Sequence, residues 1–112
     1  MSDFGSAFAD MQHDVWEISE KHGFHTGPTG LLPSEKIALI HAELSEALEE
    51  FRISPLRPDP KCPDHLAVTV ELADAVIRIM DLAEILNFDL AGAIEDKSAY
   101  NETRPYKHGK KF

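Results

Sequence analysis

Apolar residues recur at intervals of three and four in four segments of the chain, the spacing typical of amphipathic helices. The first predicted helix covers about residues 6–22, and Gly23 is a natural stop. A second helix, with Ser34 as its N-cap, runs to about residue 53. The glycine and proline content of residues 25–33 predicts a loop between them.

The second half of the chain predicts two further helices. Four prolines exclude a helix over residues 54–63. The third helix is the longest and most apolar, with Asp64 as its N-cap and an end near residue 87; the fourth, capped by Asp89, ends near residue 100. An extended tail follows, and no segment alternates like a strand. We therefore expect a single all-α domain over residues 1–112, a small four-helix bundle-like domain with an extended C-terminal tail.

Acidic residues of the second helix fall into two groups by their angle around the helix axis. Glu43, Glu46 and Glu50 lie on one side, next to the apolar stripe, whereas Glu49 points away from them. We expect Glu49 to be ordinary solvated surface.

The third helix carries a narrow polar stripe between two apolar faces. Its members are Glu71, Asp74, Arg78 and Asp81. Such a stripe loses water once both apolar faces are packed, and burying several unpaired carboxylates costs many kcal/mol in total. The carboxylates therefore need a cation, either Arg78 in a structural ion-pair network or a divalent metal ion.

The spacing of the acids favours the metal. Glu43 and Glu46 lie one turn apart on one helix, as do Glu71 and Asp74 on the next, so two packed helices can present four carboxylates to one cleft. Oxygen ligands without His or Cys favour Mg²⁺ or Mn²⁺ over zinc, and Mg²⁺ usually takes further ligands from phosphates. A ferritin-like di-iron site needs Glu-x-x-His pairs, and neither acid pair has one.

Charge is distributed unevenly along the chain. The formal net charge is −9, but residues 1–96 carry six Lys/Arg against nineteen Asp/Glu, and residues 97–112 carry five against one. An acidic body disfavours binding to a nucleic acid polymer, while a basic tail suits phosphates or is simply solvated. With no signal peptide pattern, no membrane-spanning stretch and Cys62 as the single cysteine, we expect a cytoplasmic protein that does not bind membranes.

Three stretches of the chain resemble the MazG-like all-α nucleoside triphosphate pyrophosphatases. They are the two acid pairs separated by 24 residues within "LIHAELSEALEEFR" and "ELADAVIRIMDLA", and the ending "KSAYNETRPYKHGKKF". The resemblance covers about residues 35–112. Many members carry a glutamate where this chain has Ala42, so the number of metal ions stays open, with Glu50 or Asp81 as a substitute ligand.

The resemblance implies Mg²⁺-dependent hydrolysis of an NTP or dNTP to the monophosphate and pyrophosphate, in the manner of a nucleotide-clearing enzyme, with Mn²⁺ as a substitute ion. The implied metal ligands and catalytic residues are Glu43, Glu46, Glu71 and Asp74. The implied phosphate contacts are Lys97, Asn101 and Arg104, with Tyr106, Lys107, His108 and Lys110 as weaker candidates. Phosphoribosyl-ATP pyrophosphohydrolase shares this metal chemistry and stays open as a third activity.

Base recognition and assembly are less well specified by the sequence. Trp16 could stack on a base or serve as a core or interface residue. The third helix is apolar on more sides than one small domain covers, so we expect a homodimer or homotetramer. The alternative to an enzyme is a non-enzymatic helical dimerisation or adaptor module whose acids form structural salt bridges.

Overall fold

The predicted all-α architecture is confirmed in a computed structural model, which describes residues 2–27 and 32–111. Its helices are α1 (Asp3–Lys21), α2 (Pro33–Ile53), α3 (Ala67–Ile85) and α4 (Leu90–Glu102). A short turn at Tyr106–Gly109 follows α4. Within the described ranges there is no β-strand, only one isolated bridge between Pro58 and Leu66. Residues 28–31 of the predicted first loop lie outside the described part of the chain.

Two helix starts follow directly from side-chain capping. The Asp89 carboxylate accepts a hydrogen bond from the Gly92 N–H at 3.0 Å, so the predicted cap of α4 is confirmed. The start of α1 lies three residues earlier than predicted. Ser2 caps it by accepting a hydrogen bond from the Gly5 N–H at 2.9 Å.

The prediction that Ser34 caps α2 was wrong. Leu32 occupies the N-cap position without a side-chain hydrogen bond, and Pro33 is the first helical residue. Proline is suited to this position because it has no N–H that needs an acceptor and its φ angle already matches the helix.

The prediction that Asp64 caps α3 was also wrong. Residues 60–65 form bends and turns, and only Leu66, the N-cap, is extended. The Asp59 N–H donates to the His65 carbonyl at 2.9 Å, and the Ala67 N–H donates to the Arg57 carbonyl at 2.8 Å. These contacts close the proline-rich loop on itself and delay the helix to Ala67.

Helix α3 lies at the centre of the packing, in contact with α1 and α2, while α4 packs against α1. The buried apolar side chains are mostly small: Val15, Ile40, Ala47, Ala67, Val68, Ala75, Met80, Ala83 and Ala91. Small residues let helix axes approach closely, so polar side chains at the edge of the α2–α3 contact come within reach of one another.

The molecule is more open than a closed bundle of its length. Its Cα radius of gyration is 16.3 Å, against about 13 Å expected for a compact domain of this size. Large apolar side chains stay exposed along α2 and α3, namely Ile37, Leu44, Leu48, Phe51, Leu72, Val76 and Ile79. This exposed surface is compatible with the expected oligomer, which stays a prediction.

Candidate functional site

Three glutamates meet where α2 and α3 pack together. Glu43, Glu46 and Glu71 each offer a carboxylate oxygen, and the three oxygens lie within 4.8 Å of one another. Glu43 is buried, Glu71 is partly buried and Glu46 is exposed, so the group opens to solvent on one side. These three residues and the neighbouring Asp74 are called the acid cluster below.

In the acid cluster, Glu71 is the carboxyl group with the fewest favourable partners. Its Oε2 atom is buried and has no hydrogen-bond partner among the described residues. Burial raises the pKa of its carboxyl from 4.5 to about 7, aided by a hydrogen bond with Glu46. The negative charges of Glu46, Asp74 and Glu43 raise this pKa further. Because this pKa lies close to neutral pH, the carboxyl is only partly ionised there, and a bound cation would favour its ionised form.

Asp74 lies beside the three glutamates but outside the closest group. Burial raises the pKa of its carboxyl, and the charge of Glu43 adds to the effect. The positive charges of Arg78 and, more weakly, Lys61 lower this pKa. Asp74 and Glu43 line the same cavity, of about 230 Å³, together with Ser19, Phe24, Ile77, Arg78 and Asp81.

Arg78 supplies part of the positive charge that the acids need. Its Nε atom donates to Glu43 Oε1 at 2.7 Å. One guanidinium cannot neutralise four carboxylates, and Glu71 receives no hydrogen bond from a basic side chain among the described residues. The ion-pair network that the sequence left open as the alternative to a metal is therefore present at Glu43, and among the described residues it does not extend to Glu71.

Glu50 and Asp81, the substitute metal ligands suggested by the sequence, have other partners. Glu50 accepts a hydrogen bond from Arg57 Nη2 at 2.6 Å, although its buried Oε2 atom has no partner within residues 2–27 and 32–111. Asp81 is buried with His25 Nε2 at 2.8 Å from Oδ1 and Lys36 Nζ at 3.8 Å from Oδ2. Neither belongs to the group of three close glutamate oxygens.

His25 is a structural residue that sequence reasoning left unassigned. It is buried between two carboxylates, with Nδ1 at 2.6 Å from Glu20 Oε2 and Nε2 facing Asp81. The signal available in the sequence was only a histidine two residues after Gly23 in "KHGFH". Its partner Asp81 lies 56 positions away, so no local pattern could have paired them.

Trp16, the residue considered for base stacking, lies partly buried on α1. Two imidazoles stack against its indole, His13 with a centroid distance of 5.8 Å and His25 with 5.7 Å. All three rings line a cavity of about 400 Å³ together with Glu20, Glu84 and Ile85. Because His25 also contacts Asp81, which lines the cavity at the acid cluster, one ion pair separates the two cavities.

The candidate phosphate-binding residues lie on α4 and beyond it. Lys97 and Arg104 sit over the ring of Tyr100, at 4.6 and 5.6 Å from its centroid. Asn101, Tyr106, Lys107, His108 and Lys110 are exposed. Since α4 packs against α1 and the acid cluster is built by α2 and α3, the structure does not bring these residues to the acids of the same chain.

The donor set of the acid cluster suits a hard divalent cation. In the part of the chain that the structure describes, it offers oxygen atoms from two helices, no nitrogen or sulfur ligand, and one buried oxygen without a partner. Mg²⁺ and Mn²⁺ favour carboxylate oxygens and retain water or phosphate in their remaining positions. The residues present therefore fit such an ion.

Comparisons with family models, with curated proteins and with solved structures give no match to this chain. Among the helices of residues 2–27 and 32–111, none has the length and apolar character that crossing a membrane requires.

Proposed function

We propose that this protein is a Mg²⁺-dependent nucleoside triphosphate pyrophosphohydrolase that converts an NTP or dNTP to the monophosphate and pyrophosphate. The observation that carries the proposal is Glu71, a partly buried carboxyl among three other acids with a pKa of about 7 and an unpaired buried oxygen. A group in this environment lacks a cation, and functional sites are where such perturbed groups concentrate.

In this proposal the metal ligands are Glu43, Glu46, Glu71 and Asp74. The ion supplies neutralisation of the triphosphate and a more acidic water as the nucleophile. Glu71 must release its proton before it can act as a ligand, so metal binding and proton release are coupled at this position. Arg78 keeps Glu43 in place through its 2.7 Å contact.

The resemblance to MazG-like pyrophosphatases supports this reaction and the choice of residues that would contact the phosphates and the base. The phosphates would contact the basic tail through Lys97, Asn101 and Arg104, with Tyr106 and Lys110 next to them, and the base would lie by Trp16. The cavity beside Trp16 is separated from the acid cluster by the His25–Asp81 pair, which is compatible with a nucleotide whose base and phosphates occupy adjoining cavities.

The alternative is a helical dimerisation or adaptor module without enzymatic activity. The ion pair between Arg78 and Glu43 and the exposed apolar side chains of α2 and α3 favour this interpretation. It gives no role to the unpaired oxygen of Glu71, which is why the enzyme is our first proposal.

The proposal is tested by incubating the protein with Mg²⁺ and a panel of NTPs and dNTPs, and measuring pyrophosphate and monophosphate. We expect release of both products from at least one nucleotide and a loss of about 100-fold or more in Glu71→Gln. Glu49→Gln, a change at an exposed glutamate of α2, the helix that carries Glu43 and Glu46, should keep full activity. A folded wild-type protein that releases no pyrophosphate from any nucleotide would overturn the proposal.

A further inference from the structure

We infer that the cavity beside Trp16 selects nucleotides whose base carries an exocyclic amino group, and that Glu84 is the residue that selects them. The inference rests on the proposed function, because it names the bases that the pyrophosphohydrolase accepts. Binding of the base, however, can be measured without metal and without hydrolysis.

The cavity beside Trp16 combines aromatic rings with charged side chains. It has a volume of about 400 Å³ and is lined by His13, Trp16, Glu20, His25, Glu84 and Ile85. A planar base can stack with the rings of such a cavity, and stacking is tolerant of sequence because every base has a π face. Discrimination between bases must therefore come from the polar side chains of the wall.

The two imidazoles of the cavity direct their N–H groups at carboxylates of the protein. His13 places Nδ1 2.8 Å from Glu84 Oε2 and Nε2 2.8 Å from Glu17 Oε1. His25 places Nδ1 2.6 Å from Glu20 Oε2, and its Nε2 faces a carboxylate of α3. An ionised carboxylate only accepts hydrogen bonds, so these N–H groups are engaged within the protein and are not available to a ligand.

The two carboxylates of the wall keep spare capacity as acceptors. A carboxylate has about four acceptor positions. Among the described residues, Glu84 accepts from His13 and from Gln12 Nε2, the latter at 3.1 Å. Glu20 accepts from His25. What these walls lack is a donor, so the ligand that suits them is one that donates hydrogen bonds.

Glu84 is better suited than Glu20 to read a base. Its side chain is 27% exposed, against 51% for Glu20, so fewer water molecules compete for its oxygens. The hydrogen bond from His13 lowers the pKa of the Glu84 carboxyl, and the hydrogen bond from Gln12 adds to this effect. Glu84 is therefore ionised at neutral pH and is held from two sides.

The bases differ in what they present to such a carboxylate. The exocyclic amino groups of cytosine, adenine and guanine donate a hydrogen bond, and a charged acceptor strengthens that bond. Uracil has a carbonyl oxygen where cytosine has its amino group, so beside Glu84 it brings two acceptors together. Hypoxanthine has only a hydrogen atom where guanine has its amino group, and loses a contact without gaining a repulsion.

Nuclear magnetic resonance tests base selection directly. Trp16 is the single tryptophan of the chain, so its indole N–H gives one signal that reports on the cavity. The metal-free protein is titrated with CMP and UMP, and with GMP and IMP. We expect CMP to bind about 10-fold more tightly than UMP, and GMP about 3-fold more tightly than IMP. Equal affinities for CMP and UMP, or no shift of the indole signal with any of the four, overturn the inference.

Two variants separate Glu84 from the imidazole that it contacts. Glu84→Gln exchanges an acceptor oxygen for an amide donor of similar size, and should strengthen UMP and reduce the preference for CMP to about 2-fold or less. Glu17→Gln removes the other carboxylate partner of His13 without changing a residue that lines the cavity, and should keep the preference. A preference that survives in folded Glu84→Gln, or is lost equally in both variants, contradicts the assignment. The comparison of nucleotides in the wild type does not depend on the folding of either variant.

Hydrolysis separates this inference from the proposed function. With Mg²⁺, kcat/KM for CTP should exceed that for UTP by about 10-fold. An active enzyme with equal kcat/KM for CTP and UTP contradicts the inference and leaves the proposed function in place. A protein that prefers CMP to UMP at Trp16 and releases no pyrophosphate from any nucleotide contradicts the proposed function alone.

Discussion

Two carboxylates of α3, Asp81 and Glu71, lie ten residues apart in the same polar stripe and have opposite surroundings. Asp81 is enclosed by His25 and Lys36, two side chains that can carry positive charge. Glu71 is surrounded by other acids and keeps an unpaired oxygen. The stripe therefore divides into a part whose carboxylate contacts basic side chains and a part whose carboxyl is surrounded by other acids. In the proposed function, a metal ion would supply positive charge to the second part.

The largest expected effect is at the neutralised end of the stripe. Asp81→Asn leaves Lys36 and His25 buried without their carboxylate, and should lower the free energy of unfolding by about 3 kcal/mol, with or without metal. Urea unfolding gives this value. Asp14→Asn, at an exposed site on α1, is the matched control and should change little. A loss below about 1 kcal/mol in Asp81→Asn would show that the pair with His25 does not hold the helices together.

The next largest effect is expected at Glu71, where metal binding should change the melting temperature. At pH 8, Mg²⁺ or Mn²⁺ in large excess should raise the melting temperature by about 5 °C or more, since a ligand that binds only the folded state stabilises it. Glu71→Gln should abolish this rise, while Glu49→Gln should retain it. If the acids form only a structural network, metal leaves the melting temperature unchanged and Glu71→Gln destabilises the protein itself.

The pH dependence of the metal-free protein should report the raised pKa of Glu71. Between its ordinary value of 4.5 and about 7, the folded state binds this proton more tightly than the unfolded state. The contribution of Glu71 to stability is therefore present below pH 4.5 and is lost as the pH rises through about 7. Unfolding at a series of pH values in a chelating buffer measures it. Glu71→Gln should flatten this decline, and an identical profile in both proteins would contradict the assignment.

The smallest effect is expected at the exposed pair of His13 and Glu84. Hydrogen bonds to Glu84 and Glu17 raise the pKa of His13 above 6.5, and the hydrogen bond with His13 lowers the pKa of Glu84 below 4.5. The pair therefore stabilises the fold above the lowered pKa of Glu84, and this contribution is lost as the pH rises through the raised pKa of His13. His13→Gln should slightly lower the melting temperature at pH 6 and leave it unchanged at pH 9. An equal effect at both pH values would mean that His13 acts through packing.

Much of the fold was predictable because helices leave a local signal. The apolar periodicity located all four helices, and the cap at Asp89 followed from its own sequence. The starts of α2 and α3 were not predictable in this way. At α3 the tertiary hydrogen bond between Ala67 and Arg57 overrides the capping preference of Asp64.

At the candidate site too, positions on a helix face could be predicted from the sequence, whereas contacts between distant segments could not. Angles around the helix axes were enough to predict that Glu43, Glu46 and Glu71 meet. They did not show that Asp81 contacts His25, since this partner comes from a loop 56 positions away. Nor did they show that α4 carries Lys97 away from the acids, because the direction of that helix depends on its packing against α1.

The most direct test of the account is a titration of the metal-free protein with Mn²⁺, followed by electron paramagnetic resonance at pH 8. The wild-type protein should bind Mn²⁺ and Glu71→Gln should lose this binding, while Glu49→Gln should bind like the wild type. Equal binding by the wild type and Glu71→Gln, or no binding by the folded wild type, would contradict the claim that the acid cluster is a metal site.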